Sequence, residues 1–232
     1  MTRSYDKRVA LVPDGSTVNE IKRLCNKFFV LRPMSYSQGR EEEIILGLLN
    51  AEKRIGHFLD VGAYDGKTFS NTLRLVELGW SGVCIEPSPT VFPALLKLHA
   101  ENERIALVNA AVGPKNSFVE FWDSGGDAIS TTDAAHREKW KAGWNAKYAK
   151  MLVYTVTFND LFTQFGKVFD FINLDVEGVS ADMFMLLPLQ SIEQCRVLCV
   201  EHDGKLAEIQ THAARFGYQY VWHSGENLIL CR

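Results

Sequence analysis

Apolar residues along this chain fall into two rhythms. Five short runs are almost continuously apolar and carry an acid or a polar residue at or next to their end: HFLDV (57–61), GVCIE (82–86), IALVN (105–109), FDFINLD (169–175) and RVLCVE (196–201). Such runs predict strands buried on both faces, as in a parallel sheet. Between them the spacing turns helical. GREEEIILGLLNAEKR puts Ile44, Ile45, Leu48 and Leu49 on one stripe, with three glutamates at the end where the helix dipole favours them. KTFSNTLRLVELG predicts a helix with Phe69, Leu73, Val76 and Leu78 on one side and Gly79 as its stop. After the fifth strand, GKLAEIQTHAARFG reads as a helix and YQYVWHSGENLILCR as two strands joined by a Ser-Gly-Glu turn. Alternating strands and helices predict an α/β fold, a mostly parallel sheet finished by an antiparallel hairpin.

Composition changes this picture little. Hydrophobic residues make up 47% and charged residues 23% of the 232, ordinary for a globular protein. Against 25 Lys and Arg stand 28 Asp and Glu, so no global field attracts nucleic acid or an anionic membrane, and no nucleic-acid partner is expected. The five cysteines form no CxxC pair, which argues against zinc and for a reducing, cytoplasmic setting. No N-terminal apolar h-region occurs, and no run reaches the about 18 apolar residues that span a bilayer. One segment breaks the rhythm. DAAHREKWKAGWNAKYAK (133–150) interleaves Trp140, Trp144 and Tyr148 with five Lys or Arg and two acids. It reads as a helix whose aromatics lie on the domain, or else as a lid or substrate-docking element. The expected division is an N-terminal extension, 1–35, packed on a domain, 36–232, with a helical insertion at about 123–150.

The chemistry gathers at strand ends. In FLDVGAYDG the pattern is D-x-G-x-x-D-G, with only Gly62 and Gly66 of a glycine-rich turn. Glycines at a strand-to-helix join usually admit a diphosphate. Here Asp60 and Asp65 disfavour one and favour a ligand with a cationic end, such as the ammonium and sulfonium of S-adenosylmethionine. Glu86, closing the second strand, suits the two hydroxyls of an adenosine ribose. Asn109 is placed for an adenine edge, with Ala110 and Ala111 leaving room for a flat ring. Each has a plainer reading: Asp60 as a helix cap, Glu86 as a solvated strand end, Asn109 as a turn residue.

Together with SQGREE, GVCIEPSP, VNAAVG, TVTFNDL, FDFINLDVEG and VLCVEHDG, these motifs resemble the FkbM family of S-adenosylmethionine-dependent methyltransferases. The likeness spans residues 36–232. Arg40 and Glu42 depart from it, where the family usually has Gly and Asp. The resemblance implies a Rossmann-like class I methyltransferase fold with a seven-stranded sheet and helices on both faces. It implies a cofactor site made from Gln38, Glu41, Asp60, Gly62, Tyr64, Asp65, Gly66, Glu86, Asn109 and Ala110, with helix capping an equal alternative for Gln38 and Glu41. It implies O-methylation of a hydroxyl on a sugar, glycan or small-molecule natural product. The fourth and fifth strands deliver Asp175, Glu177, Glu201 and His202 as candidate catalytic residues. One of them could act as general base. Alternatively Asp175, Glu201 or Asp203 could hold Mg2+ through oxygen ligands. Rival readings are a cofactor-binding scaffold without turnover, an N-methyltransferase, and an NAD-dependent oxidoreductase.

Overall fold

The computed structural model describes residues 35–232, so the expected N-terminal extension lies outside the described residues except for Ser35. The predicted core strands appear as β1 (His57–Val61), β2 (Ser81–Ile85), β3 (Ile105–Val108), β7 (Phe171–Leu174) and β8 (Val197–Glu201). The C-terminal hairpin is β9 (Gln219–His223) and β10 (Asn227–Cys231). They form one seven-stranded sheet in the order β3-β2-β1-β7-β8-β10-β9, with β10 antiparallel to both neighbours and the remaining pairs parallel.

Period-two alternation divides the core into two layers. Leu59, Val61, Ile172, Leu174, Leu198 and Val200 face one side, where they meet α5 (Phe158–Phe165), α6 (Ser180–Leu186) and α7 (Leu206–Ala214). Phe58, Phe171, Val197 and Cys199 face the other, under α1 (Glu41–Leu49), α2 (Leu73–Glu77) and α3 (Phe92–His99). In α1 the predicted stripe of Ile44, Ile45, Leu48 and Leu49 is fully buried.

Two expectations are corrected. The helix expected from Lys67 onward begins only at Leu73, and Phe69 is half exposed at φ +59° instead of packed. Local side chains take the amides a helix would use. Asp65 Oδ1 accepts from the N–H groups of Lys67 and Thr68, and Ser70 Oγ from those of Thr72 and Leu73. The stop at Gly79 is as expected: at φ +94° it donates to Val76 O while Trp80 donates to Leu75 O, a Schellman closure.

The second correction concerns 109–156. Beyond a helix, α4 (Ala134–Trp144), this stretch holds a separate sheet of β4 (Ala111–Val112), β6 (Ala149–Val156) and β5 (Ser117–Asp123), in that order. The alternation in SFVEFWD and MLVYTV carries the period-two signal for it. Asp133 caps α4, accepting from the N–H groups of Ala135 and His136. The helix buries no residue, and Trp144 stands 78% exposed instead of lying on the domain. Only His136, Arg137 and Trp140 turn inward, Arg137 stacking over the Trp122 ring at 4.5 Å. Among the described residues no helix is long and apolar enough to cross a membrane.

Candidate active site

At the C-terminal ends of the parallel strands lies an open crevice of about 1010 Å³, its mouth included. Such a crevice is where open α/β sheets bind ligands. Gln38, Asp60, Gly62, Tyr64, Glu86, Ala110, Asp175 and Glu177 of the sequence-expected residues line it.

Asp60 sits on β1 with 3% exposure. Burial raises its carboxyl, while hydrogen bonds from Thr72 and Asn173 work the other way. Gly62 does not make a phosphate cradle. A Cβ there would stand 1.6 Å from the Asp175 carbonyl oxygen, so the glycine lets the ends of β1 and β7 close on each other at φ +87°. Glu86 accepts from the N–H groups of Tyr64 (2.9 Å) and Ser88 (2.7 Å). Burial pushes it up to about 7 against those bonds, with Asp123 and Asp60 adding to the rise. Each oxygen accepts one of these bonds and has capacity for another, the acceptor set that a ribose diol needs.

The remaining expected cofactor residues stand elsewhere. Asp65 is spent on its own turn, and Gly66 packs where a Cβ would strike Leu95 and Leu98 of α3. Asn109 faces out and donates to Glu86 O (2.8 Å), the turn role rather than the adenine one. Glu41 is buried behind the wall, where its Oε2 accepts from Gly39 N–H (2.8 Å).

Past β7 and β8, Asp175, Glu177 and Glu201 bring carboxylate oxygens within 4.8 Å of one another. Burial first, then Glu201 and Glu177, hold the Asp175 carboxyl well above its usual range, and Asp175 is hydrogen-bonded to Glu201. Burial and Glu177 push Glu201 up to about 7. Glu201 Oε2 also accepts from Ser180 Oγ and from Glu177 N–H (3.1 Å), which places it behind Asp175 as its support. The structure does not bring His202 or Asp203 to the crevice. His202 Nδ1 accepts from Gly204 N–H (3.1 Å), and Asp203 Oδ2 accepts from Ala181 N–H (3.0 Å) at the start of α6. The expected trio of Asp175, Glu201 and Asp203 is therefore replaced by one with Glu177 in place of Asp203.

One site residue was missed by sequence reading. His136, on α4, places Nε2 3.1 Å from Glu177 Oε2. Trp140 Nε1 donates to the same nitrogen at 2.7 Å, and Thr131 Oγ1 donates to the Glu177 carbonyl at 2.6 Å. Gly178 makes the approach possible, since a Cβ there would lie 2.7 Å from the imidazole. Burial opposes charging of His136, but the bond to Glu177 and its charge outweigh it and raise the imidazole. Glu177 is raised by burial, against the pull of His136. Nε2 has one lone pair, so it accepts from Trp140 only when unprotonated and donates to Glu177 only when protonated. No strand-end motif marks His136. Its spacing to Trp140 and Trp144, four and eight residues on, is the one trace of it in the sequence.

The sequence matches the Methyltransferase FkbM domain over residues 60–220. The chain belongs to the FkbM methyltransferase family. Among solved structures, it is similar to the METTL16 MTase domain at TM-score 0.50 and 13% identity, over 86% of this chain and 68% of that one. It is also similar to the putative methyltransferase yhhF from Escherichia coli at TM-score 0.48 and 13% identity, over 88% and 90% of the two chains. The ribosomal protein L11 methylase from Lactobacillus delbrueckii subsp. bulgaricus gives TM-score 0.45 and 16% identity, over 84% and 79%. No curated protein matches the sequence. The fold of this FkbM chain is thus the Rossmann-like one of S-adenosylmethionine-dependent methyltransferases.

Proposed function

We propose that this protein transfers a methyl group from S-adenosylmethionine to a hydroxyl oxygen of a sugar, glycan or small-molecule natural product. The observation that carries the reading is Glu177, which lines the crevice, with His136 paired to it from α4 and the Asp175–Glu201 acid pair beside it. When bound, S-adenosylmethionine supplies a methyl group already activated on a sulfonium. Glu86 would accept from the ribose hydroxyls, and Ala110 and Ala111 leave space beside them for the adenine. Asp60 sets a negative potential at the centre of the crevice, and the Tyr64 hydroxyl holds the loop above it by donating to the Gly126 carbonyl.

A hydroxyl must shed its proton as its oxygen takes the methyl group. Glu177 is placed to receive that proton and His136 to share it, a general-base contribution of roughly 10² to 10⁴-fold. Alignment supplies much of the rest. A protonated amine would also have to shed a proton, so the preference for oxygen follows the family resemblance, while a scaffold without turnover would give this pair no task. A second reading has Mg2+ on Asp175, Glu177 and Glu201, favoured by the 4.8 Å convergence of their oxygens. The four described cysteines are free and buried, which supports a reducing, cytoplasmic setting.

The test is S-adenosylhomocysteine formation by the purified protein against a panel of glycans and polyols, with Glu177→Gln and His136→Ala beside it. We expect Glu177→Gln to lower kcat at least about 100-fold and His136→Ala about tenfold or more, with cofactor affinity unchanged. Wild-type kcat in Glu177→Gln would refute the base assignment. Turnover abolished by chelator and restored by Mg2+ would favour the second reading.

A further inference from the structure

Three consecutive strands put polar or thiol side chains in one row: Asp60 on β1 pairs in register with Asn173 on β7, and Asn173 with Cys199 on β8. The row lies on the face beneath α1 and α2, among buried apolar residues. Its hydrogen bonds have a fixed direction. Asp60 Oδ2 accepts from Thr72 Oγ1 (2.6 Å) and Oδ1 from Asn173 Nδ2 (2.9 Å). A carboxylate only accepts, so Asn173 must turn its nitrogen toward Asp60 and its oxygen away. That oxygen accepts from Asn71 Nδ2 at 3.0 Å, and the same nitrogen approaches Cys199 Sγ at 3.7 Å.

Each amide is oriented by the one before it, and the chain ends at Asn71 Oδ1. Asn71 is 5% exposed and lines the crevice, and its oxygen is buried without a hydrogen-bond partner. A buried acceptor left unmade costs about 1–3 kcal/mol, so the site calls for a donor. The surroundings select its charge. Glu41 Oε1 is a second buried oxygen without a partner. Asp60, Asp175 and Glu177 line the same crevice as Asn71, so acidic side chains surround this spot. A cationic donor fits such a place better than a neutral one.

We propose that Asn71 Oδ1 receives the ammonium group of the cofactor's amino-acid tail, and that Asp60 acts through Asn173 to aim it. Asp60 is then a positioning residue and Asn71 a binding residue. This rests on the S-adenosylmethionine reading above, which assigns the ribose to Glu86 at the end of the neighbouring strand.

The experiment compares two ligands by isothermal titration calorimetry: S-adenosylhomocysteine, and its deaminated analogue that keeps the carboxylate but lacks the amine. A hydrogen bond to a charged group is worth about tenfold or more in affinity. Wild-type protein is expected to prefer S-adenosylhomocysteine by at least that factor. Asn71→Leu, which keeps the branched heavy-atom shape, is expected to weaken S-adenosylhomocysteine about tenfold and leave the analogue unchanged, erasing the preference. Should Asn71→Leu fail to fold, Asn71→Ser withdraws the oxygen with a smaller side chain and carries the same comparison. Equal wild-type affinity for the two ligands overturns the proposal, as does a variant that weakens both alike, the mark of a purely structural asparagine. Wild-type protein that binds neither ligand overturns the cofactor reading itself, and this assignment with it.

Discussion

Cofactor binding should weaken in mild acid, and Glu86 sets by how much. Its carboxyl is pushed up to about 7 in the ligand-free protein, by burial first and by Asp123 and Asp60 after it, against the N–H groups of Ser88 and Tyr64. Ribose hydroxyls donate best to the ionised form. At pH 8 about nine in ten molecules carry it and at pH 6 about one in eleven, so the apparent Kd should rise about tenfold, or about 1.4 kcal/mol. The assay is titration of S-adenosylhomocysteine, which lacks the sulfonium charge, at intervals from pH 6 to pH 8. Glu86→Gln, which cannot ionise, should bind more weakly at pH 8 and show a flat profile. A slope of the same size in Glu86→Gln would refute the reasoning, because the titrating group would then be another. Affinity that improves toward pH 6 would refute its sign.

Gly62→Ala should unfold or severely destabilise the protein, by more than about 3 kcal/mol in a urea titration, because its Cβ would meet the Asp175 carbonyl at 1.6 Å. The ligand-free protein should lose stability as the pH rises. Glu86 and Glu201 have their carboxyls raised from 4.5 to about 7, so the native state holds protons that the unfolded chain has released. That contribution is present in full below about 4.5 and lost as the pH rises through about 7, up to about 3 kcal/mol for Glu86. Melting temperatures measured from pH 5 to pH 8 should fall, and fall less in Glu86→Gln/Glu201→Gln.

What could be read from the sequence is what repeats. Every core strand lies within two residues of its predicted bounds, because burial on both faces leaves a near-continuous apolar run such as FDFINLD. Asp60, Glu86 and Asp175 were legible for the same reason: each stands at the C-terminal end of such a run, and strand ends of a parallel sheet converge. The misses share a cause as well. Phe69 has helical spacing with Leu73 and Val76, but the Asp65 and Ser70 side chains capture the amides that would continue the helix. The small sheet was less legible because its longer strands, β5 and β6, are covered on one face at most and carry a weaker apolar signal than the core runs. His136 and Asn71 could not be found from neighbours in sequence, since their partners, Glu177 and Asn173, are 41 and 102 residues away.

The loop between β5 and α4 is tied to the main sheet from three strand ends at once. Tyr64 donates to the Gly126 carbonyl, Ser88 to Asp123 Oδ2, and Thr131 to the Glu177 carbonyl. Each tie uses a residue that lines the crevice, or one beside it. Occupancy of the crevice and seating of the small sheet are therefore thermodynamically linked, and by reciprocity whatever favours one favours the other. A bound nucleoside would stiffen the loop that carries these ties, and loosening of that loop would ease its release.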